Sequence, residues 1–448
     1  MDKEAFIRLV RDAGVVGEGG AGFPAHVKYD TQVEVVIANG CECEPLLFTD
    51  QHIMRSHAAE IVRALQAIQS AVGAIRSIIA IKRKYTEARE SLERAIADTD
   101  LEMAFLDSFY PAGDEFILVN EITGRTIPPL GLPKEVGAVV ANVGTLYAVS
   151  DAMDGKPVTR KMLTVTGEVA RPSVLRVPIG TSLKECVSQC GGPSVDDPVY
   201  VIGGPMTGMF VDSAEELGRK VITKTVGALI ALPRDHHLHE AATVPLDTMQ
   251  RRAAAACIQC RYCTDLCPRF LIGHGFETHK VMRAFSGGVD VAMEATQALM
   301  CCECGLCELF SCPMHLSPRR INRLLKARFK EKGVQHTGPR EVNVEQAALQ
   351  PFRKIPTSRL AVRLGIAEYM DIHPEFTGDY IPNSVLIPLQ QHIGSPAVAR
   401  VKTGDRVKEG DLIGEIPEGG LGSRIHASIQ GIVTGVGEAI AIQGAQGV

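Results

Sequence analysis

The sequence lacks the long basic run that proteins use to follow a nucleic-acid backbone. It has 47 lysines and arginines against 52 aspartates and glutamates, which leaves a formal net charge of −5. Affinity for DNA or RNA depends on clustered positive charge that neutralises phosphates. We therefore expect no nucleic-acid partner.

The sequence also lacks any uninterrupted apolar stretch of about 18 residues, the length that a transmembrane helix needs. Its first 14 residues read as a charged amphipathic helix without the apolar centre of a secretory signal. These absences predict a cytoplasmic protein with no transmembrane segment. Apolar residues make up 45% and charged residues 22%, so the chain can bury ordinary cores and disorder is not expected.

The length of 448 residues predicts several domains, since a domain usually takes about 100–200 residues. Near the N-terminus, helical patterns alternate with apolar strands at 33–39, 77–82 and 137–142, which predicts an α/β layer fold. Later segments read as a small α+β domain, a helical cysteine-rich region and short β-runs that suggest a compact sandwich. We place these parts at 1–157 (α/β), 158–245 (α+β), 246–335 (cysteine-rich), 336–380 (linker) and 381–448 (β).

The cysteines are grouped rather than scattered. The chain has 13 of them, and nine lie between Cys257 and Cys312. Disulfides are rare in the cytosol, where grouped cysteines usually bind metal. The cysteine-rich region is therefore the predicted metal-binding part of the chain.

Two runs share the spacing of bacterial ferredoxins, in which three close thiolates hold one [4Fe–4S] cluster and a fourth cysteine before proline holds the other. We therefore predict two [4Fe–4S] clusters with crossed ligand sets. The first set is Cys257, Cys260, Cys263 and Cys312. The second set is Cys301, Cys304, Cys307 and Cys267.

Some alternatives stay open for these residues. Paired C-x2-C hooks also suit structural zinc, although each run here offers three hooks and a distant Cys-Pro. Cys302 is left over and is expected to be a spare thiol that points away from the cluster, whereas Cys186 and Cys190 read as buried apolar residues of a helix. The histidine-rich run 234–240 reads as a polar loop, with a metal role as its alternative.

The segment 17–22, GEGGAG, satisfies G-x-G-x-x-G but follows a helical segment, whereas a dinucleotide fingerprint follows a strand. Its glycines would still let the backbone approach a planar or phosphorylated ligand, because no Cβ intrudes. From this motif alone, a loop without a ligand remains an alternative.

Four segments in order, at 17–28, 38–50, 110–115 and 139–146, resemble the flavin-bearing, NADH-oxidising subunit of respiratory complex I. The resemblance implies a Rossmann-like domain that binds FMN and NADH. It implies FMN contacts from Gly17, Gly19, Gly20, Lys28, Asn39, Glu42, Gly113, Asp114, Asn142 and Thr145. It also implies that Phe23 and Glu44 face the NADH.

The whole chain resembles two closer families, the RnfC subunits of ion-pumping membrane complexes and the PduS cobalamin reductases of propanediol-utilisation microcompartments. Both imply a soluble-ligand-binding β-grasp (SLBB) domain at 158–245 and a barrel-sandwich hybrid domain. RnfC carries the barrel-sandwich segment at its N-terminus, whereas here it lies at 381–448, as in PduS. The tail also resembles lipoyl carriers, but 426–431 (HASIQG) has no lysine for acylation.

The PduS resemblance implies an NADH-dependent reductase of oxidised cobalamin, with an adenosyltransferase and microcompartment shell proteins as partners. It places the protein in the cytoplasm, within or on a bacterial microcompartment. One alternative is an RnfC-like subunit that passes NADH electrons to a membrane complex or ferredoxin. Another is a non-catalytic subunit in which only the clusters work.

Overall fold

The structure is a computed structural model, and it describes residues 2–287 and 293–444. The first part of the chain alternates helices and strands around a parallel sheet. Its helices are α1 (Lys3–Asp12), α2 (Ala25–Tyr29), α3 (Thr49–Ser56), α4 (Ala58–Val72), α5 (Thr86–Ile96), α6 (Glu115–Thr123) and α7 (Val143–Met153). Its strands are β1 (Val35–Gly40), β2 (Arg76–Lys82), β3 (Glu102–Leu106), β4 (Phe109–Tyr110) and β5 (Ala138–Asn142).

The parallel sheet has the order β3-β2-β1-β5, and helices cover both faces. Its strands are apolar along their length because both faces are buried, as Ile37, Ile79 and Val140 illustrate. From β1 the chain adds β2 and β3 on one side and then adds β5 on the other side of β1, so the order of strand addition reverses there. In open α/β sheets, ligands bind beyond the carboxyl ends of the strands at such a switch point.

The next part forms a mixed sheet with short helices on one side. It contains β6 (Arg160–Gly167), β7 (Ser173–Pro178), α8 (Leu183–Gln189), β8 (Pro198–Ile202), β9 (Met209–Val211), α9 (Ala214–Arg219) and β10 (Ala228–Pro233). The order of these strands is β7-β6-β10-β8-β9. Cys186 and Cys190 are fully buried in its apolar core, which confirms that they act as small apolar residues.

The cysteine-rich part is helical. Its helices are α10 (His237–Thr243), α11 (Leu246–Ala256), α12 (Tyr262–Asp265), α13 (Pro268–Leu271), α14 (Thr278–Ser286), α15 (Met293–Thr296) and α16 (Pro318–Glu331). The expectation of a polar loop at 234–240 was wrong, because His237 begins α10. His236 caps that helix by accepting a hydrogen bond from the Leu238 backbone, and His239 pairs with Asp212 at 2.9 Å.

The final part is built from short strands. After α17 (Val344–Ala347), β11 (Ile355–Pro356) and α18 (Thr357–Arg363), strand β12 (Glu375–Asp379) joins the mixed sheet beside β7, and β11 pairs with β4. The remaining strands are β13 (Ser384–Pro388), β14 (Val398–Ala399), β15 (Arg406–Val407), β16 (Leu412–Glu415), β17 (Ile425–His426), β18 (Gly431–Val436) and β19 (Ala439–Gly444). They form two small sheets, β13-β19-β18-β15 and β14-β16-β17, around one apolar core.

A buried lysine joins three parts of the chain. The ammonium group of Lys224 donates to the carbonyl oxygens of Gly14 and Arg424, each at 2.6 Å, and to the hydroxyl of Ser423 at 3.1 Å. This contact fixes the segment just after α1, at Gly14, against the mixed sheet and the C-terminal sandwich. Across the described residues, no helix is both long and apolar enough to span a bilayer.

Candidate functional site

The glycine loop, residues 17–22, lies between α1 and α2, so the helical context predicted for it is confirmed. Its ends meet because the backbone N–H of Gly17 donates to the carbonyl of Phe23 at 2.9 Å. A Cβ added at Gly20 would meet no atom within 4 Å, whereas one at Gly19 would lie 3.3 Å from the side chain of Asn142. Gly20 is therefore the position at which the absence of a side chain keeps the space open.

Asn39 and Asn142 lie side by side at the carboxyl ends of β1 and β5, where they are register partners. Each amide holds a neighbouring loop. Asn39 donates to the carbonyl of Gly113 at 2.9 Å and accepts from the backbone of Cys41 at 3.0 Å. Asn142 caps α7, accepting from the backbone of Gly144 at 2.7 Å. Both amides therefore shape the switch point of the sheet through these structural bonds.

A cavity of about 400 Å³ opens over the glycine loop, and we call it the glycine-loop cavity. It brings together nine of the predicted FMN residues, all except Glu42, and one predicted NADH residue. These are Gly17, Gly19, Gly20, Phe23, Lys28, Asn39, Gly113, Asp114, Asn142 and Thr145. The ammonium of Lys28 lies 2.9 Å from the carboxylate of Glu115 at the start of α6.

A second cavity of about 320 Å³ adjoins it, and we call it the carboxylate cavity. Its acidic side chains are Glu18, Glu42, Glu44, Asp50 and Asp114. The two cavities share a wall made of Gly19, Gly20, Asn39, Gly113, Asp114, Asn142 and Cys302. The mixed sheet contributes the opposite wall through Gly203, Gly204, Thr207, Thr225, Gly227 and Ala228.

The two residues predicted to face NADH lie in different cavities. Phe23 lines the glycine-loop cavity, and Glu44 lines the carboxylate cavity. The carboxylate of Glu44 accepts hydrogen bonds from the backbone of Met206 at 2.9 Å and from the hydroxyl of Thr207 at 2.6 Å. Glu44 therefore holds a loop of the mixed sheet over the cavity.

Burial perturbs the acids of the carboxylate cavity. Burial, and then the charge of Glu42, raises the pKa of Asp50 to about 7, while the hydrogen bond from Asn142 at 2.7 Å opposes the shift. Burial raises the pKa of Glu42 to about 7 as well, although the backbone of Glu44 donates to it at 2.8 Å. These two carboxyl groups gain negative charge near neutral pH instead of in acid.

The first cysteine set converges at one end of the helical region. Burial, and then the neighbouring thiols of Cys312, Cys257 and Cys260, raises the pKa of Cys263 to about 12. All four line one small hollow near the surface, and Cys260 is exposed. The structure therefore brings Cys312 to the run that begins at Cys257.

The second cysteine set lies deeper and next to the cavities. The charge of the Cys267 thiol adds to the rise in the pKa values of Cys301, Cys304 and Cys307. Cys267 therefore lies close to the second run. Cys304 lines the carboxylate cavity, and its carbonyl accepts a hydrogen bond from the hydroxyl of Tyr110 at 2.7 Å. The second set is therefore the one beside the cavities.

Cys302 lies on the wall that the two cavities share. A hydrogen bond with the Cys304 side chain lowers its pKa, although burial opposes the shift. None of the 13 cysteines forms a disulfide, so the eight predicted cluster ligands are all free thiols. Within residues 2–287 and 293–444, no three His, Cys, Asp or Glu side chains converge tightly enough to hold a single metal ion.

Comparison with known proteins decides the family. The chain is 42% identical to cobalamin reductase PduS of Salmonella typhimurium, over 96% of this chain and 94% of the relative. It is 41% identical to cobalamin reductase PduS of Citrobacter freundii, over 98% of this chain and 96% of the relative. The chain belongs to the PduS cobalamin reductase family.

Four domain families match in the order expected for that family. They are the Nuo51 FMN-binding domain (10–151), the SLBB domain (162–210), the 4Fe-4S dicluster domain (256–317) and the RnfC barrel sandwich hybrid domain (377–447). The predicted multi-domain fold is thereby confirmed. The domain boundaries remain predictions.

More distant similarities cover part of the chain. It is 35% identical to one subunit of the Na(+)-translocating ferredoxin:NAD(+) oxidoreductase complex of Acetobacterium woodii, over 60% of this chain and 58% of the relative. A crystal structure of NAD+-reducing [NiFe]-hydrogenase is similar in fold, with a TM-score of 0.51 and 22% identity, covering 79% of this chain and 66% of that one.

The PduS-family chain is an oxidoreductase that uses FMN and two [4Fe–4S] clusters. Its residues fit these groups. The open space over Gly20 and the backbone amides of a glycine-rich loop suit a phosphorylated, planar ligand, and two sets of four soft thiols suit iron–sulfur clusters. Among the residues lining the glycine-loop cavity, sequence reasoning missed Arg269, and it did not expect Cys302 there.

Proposed function

We propose that this chain is an NADH-dependent reductase that converts cob(III)alamin to cob(II)alamin. The observation that carries the proposal is identity of 42% and 41% to two proteins named cobalamin reductase, over nearly the whole of each chain. The two cavities share a wall and Cys304 of the second cysteine set lines one of them, which supports a route for electrons between them.

NADH gives up two electrons together as hydride and a cluster accepts one at a time, so FMN supplies the conversion between the two. In this proposal the glycine loop and Lys28 would hold FMN in the glycine-loop cavity, and Phe23, which lines that cavity, would contact the nicotinamide. Glu44 acts by fixing the loop at Met206 and Thr207, which closes the carboxylate cavity.

The positions of the two cysteine sets support an order of electron transfer. The second set borders the cavities through Cys304, and the first set reaches the surface at Cys260. Electrons would pass from the flavin cavity to the second cluster, then to the first cluster and out at the surface. Cobalamin would accept them one at a time, which matches the single electron between cob(III)alamin and cob(II)alamin.

We place the reaction in coenzyme recycling in a bacterial microcompartment, with an adenosyltransferase as the partner that uses cob(II)alamin and with shell proteins as neighbours. This part of the proposal rests on the PduS family alone. The second candidate is an RnfC-like role, passing NADH electrons to ferredoxin or a membrane complex. It is favoured by the 35% identity to a protein of a ferredoxin:NAD(+) oxidoreductase complex, but only over 60% of this chain.

An anaerobic two-step titration tests the proposal. NADH should bleach the flavin and cluster absorbance of the reconstituted protein, and excess NADH is then removed. Cob(III)alamin should restore the absorbance while cob(II)alamin appears, and a ferredoxin added to a parallel sample should reoxidise the protein much more slowly. Rapid reoxidation by ferredoxin and none by cobalamin would overturn the proposal in favour of the RnfC-like role.

A further inference from the structure

Arg269 joins the cysteine-rich region to the FMN-binding domain. It lies in α13, two positions after Cys267, and only 7% of it is exposed. Its guanidinium donates two hydrogen bonds to the carboxylate of Asp114, at 2.6 and 3.0 Å. A bidentate pair of this kind is both stronger and more directional than a single hydrogen bond.

Asp114 in turn fixes the start of α6. It is the N-cap residue of that helix and accepts from the backbone N–H groups of Phe116 and Ile117 at 3.1 and 3.2 Å. The guanidinium of Arg269 also lies 3.9 Å from the centre of the Phe116 ring. The Oδ1 atom of Asp114 accepts from the helix backbone and from Arg269, and its Oδ2 atom accepts from Arg269. Arg269 therefore helps to fix the position of Asp114.

The same arginine faces the cofactor sites. It lines the glycine-loop cavity beside Cys302, on the side where the second cysteine set lies. Among the described residues, the buried guanidinium of Arg269 is the cation that contacts Asp114 directly and balances its charge. A carboxylate left unbalanced beside this cavity would disfavour any added negative charge inside it.

We propose that Arg269 is a positioning residue for electron transfer between FMN and the second cluster. Through Asp114 it holds α6 and the second cysteine set against one wall of the cavity. Its charge also balances Asp114 where reduction adds negative charge. With FMN and the second cluster bound, the two electrons that NADH supplies as hydride would leave the flavin one at a time for the cluster, and the hydride's proton would go to water.

This inference depends on the cofactors of the family and not on cobalamin as the acceptor. The inference and the proposed reduction of cobalamin can therefore fail separately. The chain offers a matched control in Lys354. Its ammonium lies 2.7 Å from Glu121, also in α6, and 4.6 Å from the ring centre of Phe109, but it lines neither cavity. Loss of Lys354 removes an ion pair to the same helix at a position away from the cofactor sites.

The test is a redox titration of the bound flavin in four proteins: wild type, Arg269→Met, the double variant Arg269→Met with Asp114→Asn, and Lys354→Met. Arg269→Met should lower the ratio of reduced to oxidised flavin at a fixed potential at least tenfold, which corresponds to about 30 mV for a two-electron couple. The double variant should recover most of that shift because it removes the unbalanced carboxylate. Lys354→Met should match wild type.

A fifth protein, Arg269→Lys, keeps the charge but loses the bidentate geometry. It should retain the flavin potential, while flavin-to-cluster transfer after rapid mixing with NADH slows at least tenfold. The inference is wrong if Arg269→Met leaves the potential unchanged, if Lys354→Met shifts it equally, or if Arg269→Lys transfers electrons at the wild-type rate. If Arg269→Met does not retain its cofactors, the rate of flavin-to-cluster electron transfer in Arg269→Lys still tests the inference.

Discussion

The carboxylate of Glu44 accepts a hydrogen bond from the hydroxyl of Thr207 at 2.6 Å, which ties the FMN-binding domain to the SLBB domain. The other side of the same loop is held by Arg319, whose guanidinium donates to the carbonyl oxygen of Met206 at 2.7 Å. The loop is therefore clamped between two domains where it closes the carboxylate cavity.

Because both Glu44 and Arg319 hold this loop, mutations can distinguish two roles of Glu44: holding the loop and contacting NADH directly. If Glu44 acts only by holding the loop, Glu44→Gln and Arg319→Met should raise the KM for NADH by similar factors, about tenfold for the loss of roughly 1.4 kcal/mol of binding. Stopped-flow reduction of the flavin by NADH measures this. An effect of Glu44→Gln that Arg319→Met does not reproduce would show that Glu44 acts directly on NADH.

Gly20→Val should abolish FMN binding, because its side chain would enter the open space of the glycine-loop cavity. Gly19→Val should act differently, by pressing on Asn142 at the cap of α7. Gly275→Val is the matched control, since Gly275 also has open space around it but lies outside both cavities. Flavin released on denaturation measures the outcome, and full flavin content in Gly20→Val would contradict the site.

The features that could be predicted from the sequence are those carried by short local motifs. The ferredoxin spacing indicates the two cysteine sets, and the ordered segments place Gly17, Asn39 and Asn142 in one site, because each motif is short and its chemistry is local. The sequence could not show that Glu44 and Met206, or Asp114 and Arg269, are in contact. Those contacts join domains far apart in sequence and depend on how the domains pack.

Substitution of single cysteines should separate the two clusters. Cys260→Ser should remove about four of the roughly eight irons expected from two cubanes, while Cys302→Ser should remove none. Iron and acid-labile sulfide analysis gives the counts. Cys302→Ser is the stricter test, since Cys302 lies between Cys301 and Cys304 and lines both cavities. Loss of iron in that variant would mean that the ligand sets are wrongly assigned.

The acids of the carboxylate cavity predict a pH dependence. Burial raises the pKa of Asp50 to about 7, so this carboxyl is neutral below that pH and charged above it. NADH is an anion, and its KM should rise as the pH increases through about 7. Asp50→Asn should make this rise smaller and leave the part that Glu42 contributes, while the same change at the exposed Asp235 should leave the rise unchanged. Parallel pH profiles for wild type and Asp50→Asn would contradict the assignment.

The most direct test of the account counts electrons from NADH to cobalamin. Catalytic amounts of the reconstituted protein are mixed anaerobically with NADH and excess cob(III)alamin, and both are followed by absorbance. We predict two cob(II)alamin for each NADH consumed, because the hydride carries two electrons, with turnover lost in both Gly20→Val and Cys260→Ser. NADH oxidation that leaves cob(III)alamin unreduced, or cobalamin reduction that persists in both variants, would contradict the account.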